Sequence, residues 1–141
     1  MLRKIVAVVL GSLAAVLVIT VVQQLGMTVS PLPAGIDISD PSAIEPGDIP
    51  LINMLWVLAS YALGVLTGGA AAGRISPAFV PVGPLIIGGL FTVASIMNMT
   101  MIPHPLWFAV INLAMMIPLA WLGGKWAAGL GGAAAAVDGA A

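Results

Sequence analysis

Cysteine is absent from the 141-residue chain, which removes disulfides, thiolate nucleophiles, iron–sulfur ligation and thiol redox relays. Charge is nearly absent as well. Charged residues make up 6% of the sequence against 61% hydrophobic ones, whereas a soluble domain carries about 25% charged residues. Four basic residues cannot track a phosphate backbone, and a net charge of −1 offers nucleic acid no attraction. Histidine occurs once, at His104. One chain therefore cannot supply the two axial histidines of a b-type haem, a three-histidine zinc site or a zinc-protease motif. The composition offers no recognisable catalytic chemistry, no resident cofactor and no enzyme by a familiar mechanism.

What the chain does have is uncharged length. Lys4 and Asp37 are separated by 32 residues without a formal charge, Asp48 and Arg74 by 25, and Arg74 and Lys125 by 50. A bilayer core about 30 Å thick takes roughly 20 apolar residues per helix. The first two runs fit one crossing each and the third fits two. The expected fold is all-α: a polytopic membrane protein built as an antiparallel bundle of four transmembrane helices, a single domain over residues 1–130. The spans are placed at about 5–24, 50–73, 79–99 and 105–127. An outer loop covers 26–49, with one helical turn expected at Asp40–Ile44, capped by Asp40 with Pro41 as its first residue. Residues 131–141, low in complexity and without an aromatic anchor, read as a flexible cytoplasmic tail. A signal-peptide reading of the N-terminus is the weaker one, because the apolar run from Ile5 to Val22 exceeds the usual length of about 7–15 residues and no small-x-small site follows it.

Orientation follows from the basic residues, which are retained in the cytoplasm. Arg3, Lys4, Arg74 and Lys125 fall on one side if both termini are cytoplasmic. The loop holding Asp37, Asp40, Glu45 and Asp48, and the turn at 100–104, then face outward. Tryptophan gathers at the headgroup level, and Trp107 and Trp126, about 28 Å apart along a helix, bracket span four. The predicted location is the inner (plasma) membrane, with membrane lipids as the surroundings.

In lipid, small residues that let backbones approach are what holds helices together. Span two carries Ser60, Gly64, Gly68 and Ala72 at four-residue spacing, with Gly69 and Gly73 as a second ridge. Span one has Ala7, Gly11 and Ala15 at the same spacing. The expectation is close packing of spans one and two through these ridges. Homodimerisation through the same ridge is the competing reading, and mere abundance of small residues in membrane helices the bland one. Pro118 should kink span four.

No Asp, Glu, Lys or Arg lies near the middle of a span, and such a residue is the usual mark of a proton relay or coupled transporter. Small four-helix drug antiporters depend on one. The polar residues gather instead at the outer helix ends: Gln23, Gln24, Asn53, Asn98, His104 and, about 10 Å deeper than Pro105 by helix rise, Asn112. Either these amides bond one another while His104 caps span four, or they line a small outward pocket for a lipid, quinone or polar solute. Met97, Met99, Met101 and His104 form a second candidate, since thioethers and imidazole suit Cu(I). On a helix Met97 and Met101 share a face while Met99 points away, and methionine is also an ordinary apolar filler.

At Asp40-Pro41, Leu63-Gly64, Gly68-Gly69 and above all Ile102-Pro103-His104-Pro105-Leu106-Trp107-Phe108, the sequence resembles a group of small bacterial four-helix inner-membrane proteins. The likeness runs from about Met1 to Ala127. It implies the topology and a bacterial host and conveys no activity. Independently of it, Pro103 and Pro105 hold the residues before them extended, so span three ends and span four begins there.

Two functions follow as expectations. One is a structural or accessory component of the membrane or of a larger membrane complex. The other is a small transporter or binding protein for a lipid-like or weakly polar solute, acting as a homo-oligomer through the outer amide cluster.

Overall fold

The computed structural model describes residues 1–36, 40, 44–45 and 47–138, with side chains to Leu130. Among these residues there is no strand. Four helices are long and apolar enough to cross a membrane, and they pack as a bundle: α1 (Leu2–Val29), α2 (Leu51–Ile75), α3 (Val82–Met101) and α4 (Leu106–Asp138). The chain is a multi-pass, all-helical membrane protein. The helical turn expected at Asp40–Ile44 falls largely on residues outside the described ones.

Prolines set most of the boundaries. α1 ends at Val29 because Ser30 precedes Pro31, and α2 ends at Ile75 because Ser76 precedes Pro77, each such residue being disfavoured in helical geometry. α3 starts at Val82, later than the expected position 79. Val80 precedes Pro81 and is extended (φ −78°, ψ 133°), so Pro77–Phe79 forms a separate 3-10 turn. Ile102, before Pro103, is extended again and closes α3. α4 runs continuously through Pro118 and past the expected end at 127 to Asp138. In the loop between α1 and α2, Gly35 and Gly47 take positive φ (101° and 108°), conformations that exclude most other residues. The Asp48 carboxylate accepts from the Glu45 amide at 2.8 Å, tying the second of these turns, and Ile44 is buried.

α2 is the centre of the bundle, and its two small-residue ridges point to different partners. One ridge faces α1. A Cβ on Gly68 would stand 2.7 Å from the Gly11 carbonyl oxygen and 2.9 Å from Ala15 Cβ, and one on Gly64 would strike Ile19. Ser60 and Ala72 extend the same seam. Ser60 receives a hydrogen bond from Gln23 Nε2 at 3.2 Å, and Ala72 packs with Ala7 and Ile87. The second ridge, turned by about 100°, faces α4. Added Cβ atoms on Gly69 and Gly73 would overlap the Ala120 and Gly124 carbonyls, and one on Gly123 would overlap the Leu66 carbonyl. Residue numbers rise together along this seam, so α2 and α4 run parallel, whereas α1 with α2 and α3 with α4 are antiparallel.

α3 packs on α4 and also meets α1 in the half of the bundle where both chain termini lie. There Ile87 fills the space beside Gly11, and Lys4 Nζ sits 5.2 Å from the centre of the Phe79 ring. At the same end Arg3 donates to the Ile75 carbonyl, Arg74 is exposed, and Lys125 lies 5.0 Å over the Trp121 ring.

Candidate functional site

The opposite, distal end of the bundle holds a cavity of about 410 Å³. Its floor is α2, through Asn53, Met54, Trp56, Val57 and Tyr61. α1 contributes Gln23, Gln24 and Met27, the α1–α2 loop Leu32 and Ile49, α3 Asn98, the α3–α4 connection Ile102 and His104, and α4 Phe108. The local reasons are simple. Pro103 and Pro105 hold His104 in a fixed turn, and a Gly26 without a side chain lets the Trp56 ring lie against α1, where a Cβ would stand 2.7 Å from it. Below the cavity the glycine seams bring α2 against α1 and α4 backbone to backbone.

Five of the six polar residues picked out in the sequence line this space: Gln23, Gln24, Asn53, Asn98 and His104. They do not simply bond one another. Gln23 reaches Ser60, and Asn53 Nδ2 donates to the Ser30 carbonyl at 2.6 Å. His104 Nδ1 lies 2.7 Å from the Ile102 carbonyl, closing the end of α3 rather than capping α4. A carbonyl accepts only, so the hydrogen is on Nδ1 and, in the neutral ring, Nε2 is left as an acceptor. The ring stacks on Phe108 at 4.6 Å, and Trp107 meets Phe108 edge-on at 5.9 Å.

Asn53 is the unusual member. It is 7% exposed, and its Oδ1 is buried with no partner. Such an acceptor costs about 1–3 kcal/mol.

No family model, curated protein or solved structure matches this chain. The reading of the site rests on its geometry.

Asn112 stands apart from the cavity. It is 1% exposed and donates from Nδ2 to Ser95 Oγ at 2.6 Å, joining α4 to α3 in the bundle core. Tyr61, half-buried in the cavity wall, shares Ser95 as a hydrogen-bonding partner. Depth alone does not show from sequence which face of α4 Asn112 occupies, and here that face is the α3 contact.

The methionine candidate is not part of the cavity. Met97 and Met101 are 63% and 67% exposed on the outer face of α3, and neither lines the cavity that His104 lines. Met99 packs with Met54, Leu58 and Phe108. Among the described residues no three His, Cys, Asp or Glu side chains are grouped for a metal.

The aromatic walls, Trp56, Tyr61 and Phe108, were not legible as site residues. Their only sequence signal is position at the distal helix ends, which they share with ordinary interfacial anchors. Among the described residues no charged side chain lines the cavity.

Proposed function

We propose that this chain is a non-enzymatic membrane protein that binds a small, weakly polar, lipid-like molecule in the distal cavity. The observation that carries the reading is the cavity itself, walled by amides and aromatic rings, without a charged side chain among the described residues, and closed beneath by glycine-mediated helix contacts. Concave, mostly apolar spaces of about 300–1,000 Å³ with a few placed polar groups are the usual form of a small-molecule site. The tight seams favour binding over passage, because they leave the lower half of α2 pressed against backbone on both sides. Basic residues at the terminal end support cytoplasmic termini, a cavity on the outer side and, with the resemblance to small bacterial proteins, an inner-membrane location.

A second reading, an accessory subunit of a larger membrane assembly, is favoured by Gly89. It lies on α3 with no atom within 4 Å of an added Cβ, an open small-residue position of the kind that receives a neighbouring helix. Native mass spectrometry from mild detergent separates the two. A chain that retains small-molecule mass supports binding, and loss of every small molecule with retention of heterologous subunits favours the accessory role and overturns the first reading.

A further inference from the structure

We propose that the groove between α1 and the start of α3 binds an anionic phospholipid from the leaflet on the side of the chain termini. Lys4 and Arg3 hold its phosphate, and its first methylenes lie along the aliphatic side chains below them. This site is at the other end of the bundle from the distal cavity and does not depend on it.

The groove has a volume of about 260 Å³ and is lined by Lys4, Ile5, Val8 and Val9 of α1, Phe79 of the 3-10 turn and Ile86 of α3. Lys4 is the one polar side chain among them. From Lys4 to Val9 the groove follows α1 for about 7 Å by helix rise. Deeper in the bundle it ends where the two helices close up: Val8 packs on the cluster of Ala7, Ala72 and Ile87, and Ile87 fills the space beside Gly11. A cation at the mouth with branched aliphatic side chains beneath matches the head and upper chain of a phospholipid. Burial of those methylenes is favourable only for a ligand that carries them.

The connection from α2 to α3 positions both cations. Arg3 donates from Nε to the Ile75 carbonyl, which leaves the two terminal NH₂ groups of the guanidinium with four N–H donors. Lys4 Nζ sits 5.2 Å from the centre of the Phe79 ring, four residues further along the same connection, and cation–π attraction holds the ammonium there. Two adjacent exposed cations are thus anchored by a backbone carbonyl and an aromatic face, and each keeps N–H groups to donate. The carboxylates of Asp40, Glu45 and Asp48 belong to the α1–α2 connection at the opposite end. Phosphate oxygens take charge-assisted hydrogen bonds from such groups, two at a time from a guanidinium. Basic pockets between membrane helices recognise anionic headgroups in this way.

The charge of the head decides between lipids. A zwitterionic head brings its own ammonium close to Lys4 and Arg3, and that repulsion offsets part of what the phosphate gains. A phosphatidylglycerol head brings none.

The test uses the full chain in mild detergent, titrated with dioleoylphosphatidylglycerol or dioleoylphosphatidylcholine, with the first bound lipid counted by native mass spectrometry. Each cation beside an anionic head contributes about fivefold. Phosphatidylglycerol should therefore bind at least about tenfold more tightly than phosphatidylcholine, and Lys4→Gln should bring that preference to about threefold or less. Arg74→Gln removes the same charge at the same end, from an exposed residue outside the groove, and should leave the preference within about twofold of wild type. Val9→Trp keeps every charge but fills the groove, and should weaken phosphatidylglycerol binding at least about fivefold. Glycerol phosphate, a head without chains, should not displace the lipid. Equal affinity for the two lipids overturns the proposal, as does an undiminished preference in Lys4→Gln. Equal losses in Lys4→Gln and Arg74→Gln overturn it in favour of general charge attraction. Unchanged binding by Val9→Trp, or displacement by glycerol phosphate, overturns the groove as the seat of the chain.

Discussion

Gly69→Ala and Gly89→Ala are the same chemical change on two helices of one bundle, and the structure gives them opposite signs. At Gly69 the new Cβ would lie 2.7 Å from the carbonyl carbon and 2.9 Å from the Cα of Ala120, with the carbonyl oxygen nearer still. These are backbone atoms of α4 and have no rotamer to escape into. Ordinary contact begins near 3.4 Å, so α2 and α4 must part by at least about 0.7 Å, a gap that forfeits a quarter to a half of the attraction between atoms facing across it. The neighbouring contacts of Gly73 with Gly124 and of Gly123 with Leu66 open with it, because they belong to the same seam. Overpacking of this kind costs about 1–3 kcal/mol. Better helix propensity returns up to about 1 kcal/mol. With three contacts disturbed together, a net loss of about 2 kcal/mol is expected, a factor of about 30 in the folding equilibrium. At Gly89 nothing lies within 4 Å of the added Cβ, leaving the propensity gain alone, at most about 1 kcal/mol in the stabilising direction. Reversible unfolding in mixed micelles, titrated with sodium dodecyl sulfate and followed by helical circular dichroism, measures both. Equal shifts for the two variants, or none for Gly69→Ala, would refute the account of the α2–α4 seam.

Replacing Gly64 and Gly68 together by Leu should lower folded yield in detergent, since both face α1 within van der Waals distance, and an unchanged yield and melting curve would sink that expectation. Ser95→Ala leaves the buried Asn112 Nδ2 without its acceptor and should destabilise by about 1–3 kcal/mol; adding Asn112→Leu should recover part of the loss, and additive losses in the double-mutant cycle would argue against the coupling. Cuprous-ion titration should give the same affinity for wild type and for the triple alanine variant at Met97, Met101 and His104, and weaker binding by the variant would restore the metal site. A reporter fused after Ala141 should read as cytoplasmic, and a periplasmic signal would invert the bundle.

The four spans were legible because an uncharged run leaves so few alternatives, and the α1 face of α2 because Ser60, Gly64, Gly68 and Ala72 recur every fourth residue. The α4 face was only half legible. Gly69 and Gly73 announce a second ridge, but short connections direct attention to helices adjacent in sequence, whereas their partner is Ala120 and Gly124, in a helix reached after two more turns. Helix starts failed where a proline acts on the residue before it, as Pro81 does on Val80. For the site, polar residues at helix ends were found because they are scarce. Whether an amide lies at the cavity, as Asn53 does, or in the core, as Asn112 does, depends on helix rotation, which a helix with little amphipathic pattern does not encode.

The pairing of α2 with α4 also bears on how the protein is made. α1 and α2 enter the bilayer first and cover one of the two small-residue faces at once. The other, at Gly69 and Gly73, stays bare until the last helix has been synthesised, because its backbone partner lies there. During that interval the hairpin carries an open strip on which any passing helix with a small-residue face can settle. A chain cut short after α3 keeps that strip permanently, which makes truncated products of this protein the ones most exposed to mispairing and to removal by membrane quality control.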